Sequence, residues 1–157
     1  MMDVDKLLSL VRAFNREGVE YIVFGGAAVN LHGIFRATED ADFFVRPEPE
    51  NVARIKRALR SLWDDPSIDE IEDNDMLDDY PSFRYGPPDE TFDIDVVSRL
   101  GEMFQYSDLE CEIHEVDGVP IRLATPATLV RMKRDTVRFK DRDDAMKLRQ
   151  KFNLAEE

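Results

Sequence analysis

Four aspartates stand in two alternating pairs, Asp40 and Asp42 in the run EDADFFV and Asp93 and Asp95 in FDIDVV. In a strand, residues i and i+2 face the same side, about 7 Å apart along the chain, so each pair sets two carboxylates on one face. Carboxylates converging in this way suit a hard cation, since Mg²⁺ is commonly held by one or two carboxylates together with substrate phosphates. A third carboxylate from a neighbouring strand would complete a two-metal site, whose ions sit roughly 3.5–4 Å apart and clamp the attacking and leaving oxygens of a displacement. Asp93 and Asp95 both qualify, because Phe92, Ile94 and Val96 take the other face. An aspartate in an apolar strand is costly to bury unless it is paired or metal-bound. An edge strand with a solvated polar face would also explain Asp93 and Asp95. Their company, Asp40 and Asp42 behind a glycine pair, weighs against that.

The glycine pair, Gly25-Gly26, follows Tyr21-Ile22-Val23-Phe24, a run rich in β-formers and too short for a helix. Glycines there let the backbone turn sharply and come close to a ligand, and amides of such a turn can cradle a triphosphate. A short helix over 27–31 should follow, closed by Gly33. Arg36 and Thr38 come just before the first aspartate pair. Both suit an ordinary surface loop, and the planar fork of Arg36 also suits phosphate. His32 reads as a packing or capping residue, because no second His or Cys lies near it in the sequence.

The remaining elements must hold these residues in place. Val4, Leu7, Leu8, Val11 and Phe14 recur at helical spacing between a capping Asp3 and a terminating Gly18. Residues 49–63 predict an amphipathic helix with Val52, Ile55, Leu59 and Leu62 on one face. Residues 82–85 and 92–97 read as an antiparallel hairpin around Gly86-Pro87-Pro88. Residues 111–116 and 119–123 flank Asp117-Gly118, a strong two-residue hairpin signal. Thr125-Pro126 opens a helix to about residue 136, and a last helix is expected over 143–153. Strands and helices in this order predict an α+β (mixed α/β) fold.

Composition narrows the class. A chain of 157 residues with 43% hydrophobic residues is expected to form one domain over residues 1–157. No apolar run approaches the roughly 18 residues of a membrane span, and Asp3 and Asp5 stand where a signal peptide wants positive charge. A cytoplasmic protein with no membrane partner is expected. Cys111 is the one cysteine, which excludes an internal disulfide and a multi-cysteine metal site. The net charge of −13 argues against a nonspecific nucleic-acid coat. The charge is uneven: residues 64–79 hold nine acids and no base, while 131–151 hold nine bases against four acids. The acidic stretch predicts a long loop or weak helix. The basic one is either a solvated face or a phosphate-facing one.

Taken together, GGAAVNLHGIFRATEDADFF resembles the signature of the polymerase-beta-like nucleotidyltransferase superfamily, with two small residues after a strand and Asp-x-Asp in the next. The Arg-x-Thr-x-Asp-x-Asp form is similar to its AbiEii-type toxin and small antibiotic-nucleotidyltransferase branches. IDVV matches the family's third-aspartate strand at Asp95. LVRMKRDTVRFKDRDDAMKL resembles its C-terminal basic region, with Lys133, Arg138, Lys140, Asp141 and Asp144 on matching positions. The resemblance implies a nucleotidyltransferase fold, a mixed, mainly antiparallel sheet flanked by helices. It implies that Asp40 and Asp42 hold two Mg²⁺ ions (Mn²⁺ the alternative). Asp95 would hold the second ion and activate an acceptor hydroxyl, with Asp93 its rival. Gly25, Gly26, Arg36, Thr38 and Lys133 would serve the nucleotide. A nucleoside triphosphate such as ATP would donate its nucleotide to a tRNA end, a protein hydroxyl or a small molecule and release pyrophosphate, in a toxin–antitoxin or phage-defence setting. The competing expectation is a catalytically silent nucleotide-binding or protein-interaction module of a toxin–antitoxin pair. Either leaves open a protein partner or a homo-oligomer, the acidic stretch favouring a basic protein partner.

Overall fold

Helix α1 (Val4–Glu17) begins and ends where its flanking residues dictate. The Asp3 carboxylate accepts from the Asp5 N–H at 2.8 Å, satisfying one of the first-turn donors that a helix leaves open. At the other end Gly18 takes the left-handed conformation at φ 72°, and the N–H groups of Gly18 and Val19 return to the carbonyls of Asn15 and Phe14. Between these caps α1 buries Leu7, Leu8, Leu10, Val11 and Phe14. The computed structural model describes residues 3–34, 38–72, 82–100, 104–133 and 139–154.

Strand β1 (Tyr21–Phe24) leads directly into α2 (Gly25–Leu31), and β2 (Asp40–Val45) leads into α3 (Pro49–Leu62). A 3₁₀ turn, Pro66–Glu70, follows in the acidic stretch, most of whose remainder lies outside the described residues. Strands β3 (Ser82–Tyr85) and β4 (Asp93–Val97) form the expected hairpin. A small second hairpin that the sequence pattern did not announce, β5 (Arg99–Leu100) with β6 (Phe104–Gln105), comes next. Strands β7 (Cys111–Val116) and β8 (Val119–Ala124) turn at Asp117-Gly118, both left-handed at φ 49° and 79°, as a two-residue hairpin loop requires. Helix α4 (Pro126–Lys133) packs on α5 (Phe139–Phe152). Helix α5 starts earlier than the expected residue 143, because 139–142 contain no glycine or proline to stop it.

The main sheet has the order β3-β4-β2-β1-β8-β7. Its neighbours alternate, antiparallel for β3/β4, β2/β1 and β8/β7 and parallel for β4/β2 and β1/β8. The sheet is therefore mixed and mainly antiparallel, as expected. One face is apolar: Phe43 of β2 meets Phe14 of α1 at 4.8 Å and Tyr21 of β1 at 5.9 Å between ring centroids. No helix among the described residues is long and apolar enough to cross a membrane.

One buried polar side chain ties the aspartate strand to its neighbours. Asn51 in the first turn of α3 is 1% exposed. Its carbonyl accepts from the Glu20 N–H at 2.8 Å, and its amide donates to the carbonyls of Glu20 and Arg46 at 3.0 and 2.9 Å. It thus fixes the residue entering β1 against the residue leaving β2. Asn51→Ala takes these part-buried partners from the Glu20 N–H and the Arg46 carbonyl and should cost about 2–4 kcal/mol. Urea denaturation checks this, and a loss under ~1 kcal/mol would show that the amide is dispensable.

Candidate active site

The parallel register of β2 and β4 gathers the aspartates. Asp40 lies opposite Asp93 and Asp42 opposite Asp95, so all four carboxylates share one face. The intervening Ala41, Phe43, Ile94 and Val96 are buried on the other. The alternation in the two segments produces this division. Strand β4 sits between β3 and β2, so it is not an edge strand.

Arg84, a residue that the sequence reading passed over, stands among these carboxylates. The register places it opposite Asp95 across the hairpin. Its Nε donates to Asp95 Oδ1 at 2.7 Å and its Nη2 to Asp95 Oδ2 at 3.0 Å, a bidentate fork. Nη1 reaches Asp93 Oδ2 at 3.4 Å and Nη2 lies 3.5 Å from Asp40 Oδ2. One monovalent cation thus serves three carboxylates, and the carboxylates raise its own pKa further. Like charge still outweighs it at Asp40. Partial burial first, and then the charge of Asp95, hold the Asp40 carboxyl above its ordinary pKa against the opposing pull of Arg84. Two features therefore fit this face to divalent cations: an all-carboxylate donor set and a bound cation too small in charge to neutralise it.

Gly25 closes the site on its other side. Its φ is +67°, and a Cβ there would lie 2.1 Å from Asp42 Oδ2 and 2.8 Å from its Cγ. The backbone can approach Asp42 only because the side chain is missing. Gly25 and Gly26 are the first residues of α2, which corrects the expectation of a turn ahead of a helix beginning at residue 27. The left-handed Gly25 itself makes the bend out of β1.

The other expected site residues divide. The Thr38 hydroxyl donates to the backbone carbonyl of Asp40 at 3.2 Å, so it braces the strand entry. Arg36 and Arg138 lie outside the described residues. Lys133 ends α4, and Lys140 and Asp141 lie in α5, with their side chains outside the described set. Asp144 is buried at 3%. His32 does cap α2, and Gly33 beyond it is left-handed at φ 91°. The supposed isolation of His32 from other histidines is overturned: its ring lies 5.1 Å from that of His114, brought there by the fold from a distant segment.

The chain matches the model of the nucleotidyl transferase AbiEii toxin family, type IV toxin–antitoxin system, over residues 9–150. It belongs to the AbiEii nucleotidyltransferase toxin family. No curated protein matches it in sequence. Among solved structures it is similar to ANT(2″)-Ia, crystallised in complex with adenylyl-2″-tobramycin, at a TM-score of 0.57 and 12% identity. The alignment covers 95% of this chain and 88% of that one. At that identity the likeness shows a shared nucleotidyltransferase fold.

The electrostatics carry a signed prediction. A carboxyl whose pKa is raised in the folded state adds stability at pH below its ordinary value, and that stability is lost as pH rises through the raised value. Removing Arg84 takes away an interaction that holds Asp40 down, so Arg84→Ala should move the Asp40 midpoint further up. NMR titration of the Asp40 carboxyl carbon reads this directly; an unchanged or lower midpoint in the variant would show that the guanidinium does not govern the cluster.

Proposed function

We propose that the chain is a metal-dependent nucleotidyltransferase that moves a nucleoside monophosphate from a nucleoside triphosphate to a hydroxyl acceptor, with release of pyrophosphate. The observation that carries this reading is the in-register set of carboxylates on β2 and β4, lying against a glycine that leaves no room for a side chain. Asp40, Asp42 and Asp95 would hold two Mg²⁺ ions. Asp95 is preferred to Asp93 because its side chain is 20% exposed against 42% and it stands opposite Asp42. When bound, the ions would neutralise the phosphate charge that develops during transfer.

The rest is the work of the chain's own groups. Gly25, where a Cβ would collide with Asp42, and Gly26 would present backbone N–H groups to the triphosphate. Asp95 takes the proton of the acceptor hydroxyl, whose oxygen forms a bond to the α-phosphorus as the bond to the bridging oxygen of pyrophosphate breaks. Such chemistry needs mainly positioning and charge neutralisation. Arg84 must release Asp95 for that carboxylate to act. Its guanidinium, 59% exposed, then points from the rim of the site toward phosphate or acceptor. Membership of a toxin–antitoxin family supports a protein partner, and Asp64, Glu70 and Glu72 of the acidic stretch suit a basic one.

One observation favours a second reading. Because Arg84 already bridges Asp40, Asp93 and Asp95, the cluster could be held permanently in this ion-paired arrangement in a module that binds nucleotide without transferring it. Incubation with Mg²⁺ and each α-labelled ribonucleoside triphosphate, with cellular RNA and protein as acceptors, separates the two. The enzyme reading expects label transfer that falls at least about a hundredfold in Asp40→Ala and Asp42→Ala. Gly25→Ala should lose as much, through displacement of Asp42. Asp95→Asn should abolish transfer while Asp93→Asn retains it; the reverse pattern would move the third-carboxylate role to Asp93. Nucleotide binding without any transfer would establish the silent module instead.

A further inference from the structure

At the far edge of the sheet from β3, three donor side chains converge that the aspartate chemistry does not use. Glu112 and His114 stand two apart on β7, on the same face of that strand. His32 comes to them from the C-terminal cap of α2. Among the described residues, His32, Glu112 and His114 offer one ligand atom each within 4.8 Å of one another. The Nε2 of His114 lies 3.0 Å from Glu112 Oε1, and the Nδ1 of His32 lies 3.9 Å from the same oxygen. Strands β8 and β1 separate β7 from the strand that carries Asp40 and Asp42.

The tautomer of His32 is set by its other nitrogen. Nε2 lies 2.8 Å from the backbone carbonyl of Ala124, and a carbonyl can only accept, so Nε2 carries the proton. In the neutral ring Nδ1 therefore keeps its lone pair, 3.9 Å from Glu112 Oε1. A second ring nitrogen that donates to a carbonyl is the usual support of a metal-bound histidine, fixing both tautomer and ring orientation. Burial lowers the His32 pKa and favours the neutral ring, outweighing the hydrogen bond to Ala124 and the charge of Glu112, which raise it, with the charges of His114 and Lys151 acting in the same direction as burial. Phe152 packs edge-on against the His32 ring at 5.5 Å. The ring is 1% exposed, whereas Glu112 and His114 are 44% and 34% exposed. One ligand is thus fixed in place and two are free to close on an ion.

We propose that His32, Glu112 and His114 form a second metal site, for a borderline divalent ion of the Zn²⁺ type. Imidazole nitrogens favour such ions, whereas all-oxygen sites favour Mg²⁺, so the two sites sort their metals by donor chemistry. A tetrahedral zinc with bonds of roughly 2.0–2.1 Å sets its ligand atoms about 3.4 Å apart. The 3.0 and 3.9 Å separations bracket that value, and adjustment of the exposed Glu112 and His114 side chains closes the triad. The fourth position faces solvent and takes water. Occupancy ties the C-terminal end of α2, whose first residue is Gly25, to the edge strand β7.

The test uses the full chain without an affinity tag, freed of metal and titrated with Zn²⁺ against a chromophoric chelator in excess Mg²⁺. The expected result is one Zn²⁺ per chain, with affinity at least about tenfold weaker in His114→Ala and in Glu112→Gln. Both positions are on a solvent-facing edge strand, so these variants report on binding without opening the core, as His32→Ala would. Co²⁺ in place of Zn²⁺ should give the visible absorption of a tetrahedral nitrogen–oxygen site, lost in the same variants. Asp40→Asn with Asp42→Asn should retain the Zn²⁺. No uptake in excess Mg²⁺, uptake unchanged in the His114 and Glu112 variants, or uptake abolished by the aspartate pair would each overturn the site.

Discussion

The arrangement depends on one constraint, the crowding of negative charge where β2 and β4 run side by side in register. Adjacent strands lie about 4.8 Å apart. Two carboxylates at that separation repel by roughly 3 kcal/mol at the effective dielectric of a protein surface, before salt screening. Asp40 with Asp93 and Asp42 with Asp95 set two such pairs next to each other. Such an arrangement is costly unless nearby positive charge offsets it. Arg84 supplies one positive charge from β3 and engages three of the four carboxylates. Partial burial first, and then the charge of Asp95, still keep the Asp40 carboxyl raised against Arg84.

Other parts of the molecule follow from keeping that face open and its strands aligned. The apolar side of the same strands is filled by Phe14, Tyr21 and Phe43 in mutual ring contact, which fixes the strands without spending the polar face. Asn51 pins the entry to β1 against the exit from β2. Gly25 brings the start of α2 onto Asp42. The same short helix ends at His32, so its two ends meet two clusters of unlike donors, carboxylates at one and imidazoles with a single carboxylate at the other.

Much of this was legible in the sequence, and the misses have physical reasons. Alternation in EDADFFV and FDIDVV displays a strand with one polar face, and Asp117-Gly118 names its own turn, because both signals are local. Asp3 and Gly18 bracket α1 for the same reason. Arg84 was missed because its role depends on the register of a hairpin with a long loop, where a shift of one residue would send the side chain to the opposite face. The pairing of His32 with His114 was beyond reach for a related reason. It requires β8 to lie beside β1, which is a matter of topology, and the two histidines are far apart in the chain. The start of α2 was misplaced by two residues, since a glycine pair reads as a turn although Gly25 bends and begins the helix at once.

The central claim is that the carboxylate face is a site for divalent cations and that Arg84 holds their place. Anomalous diffraction from crystals grown with Mn²⁺ and a non-hydrolysable nucleoside triphosphate tests it most directly. The expected map has two manganese peaks roughly 3.5–4 Å apart, bounded by Asp40, Asp42 and Asp95, with the Arg84 guanidinium withdrawn from Asp95. Nucleotide bound with no manganese at these carboxylates, and with Arg84 still bridging Asp95 and Asp40, would contradict it.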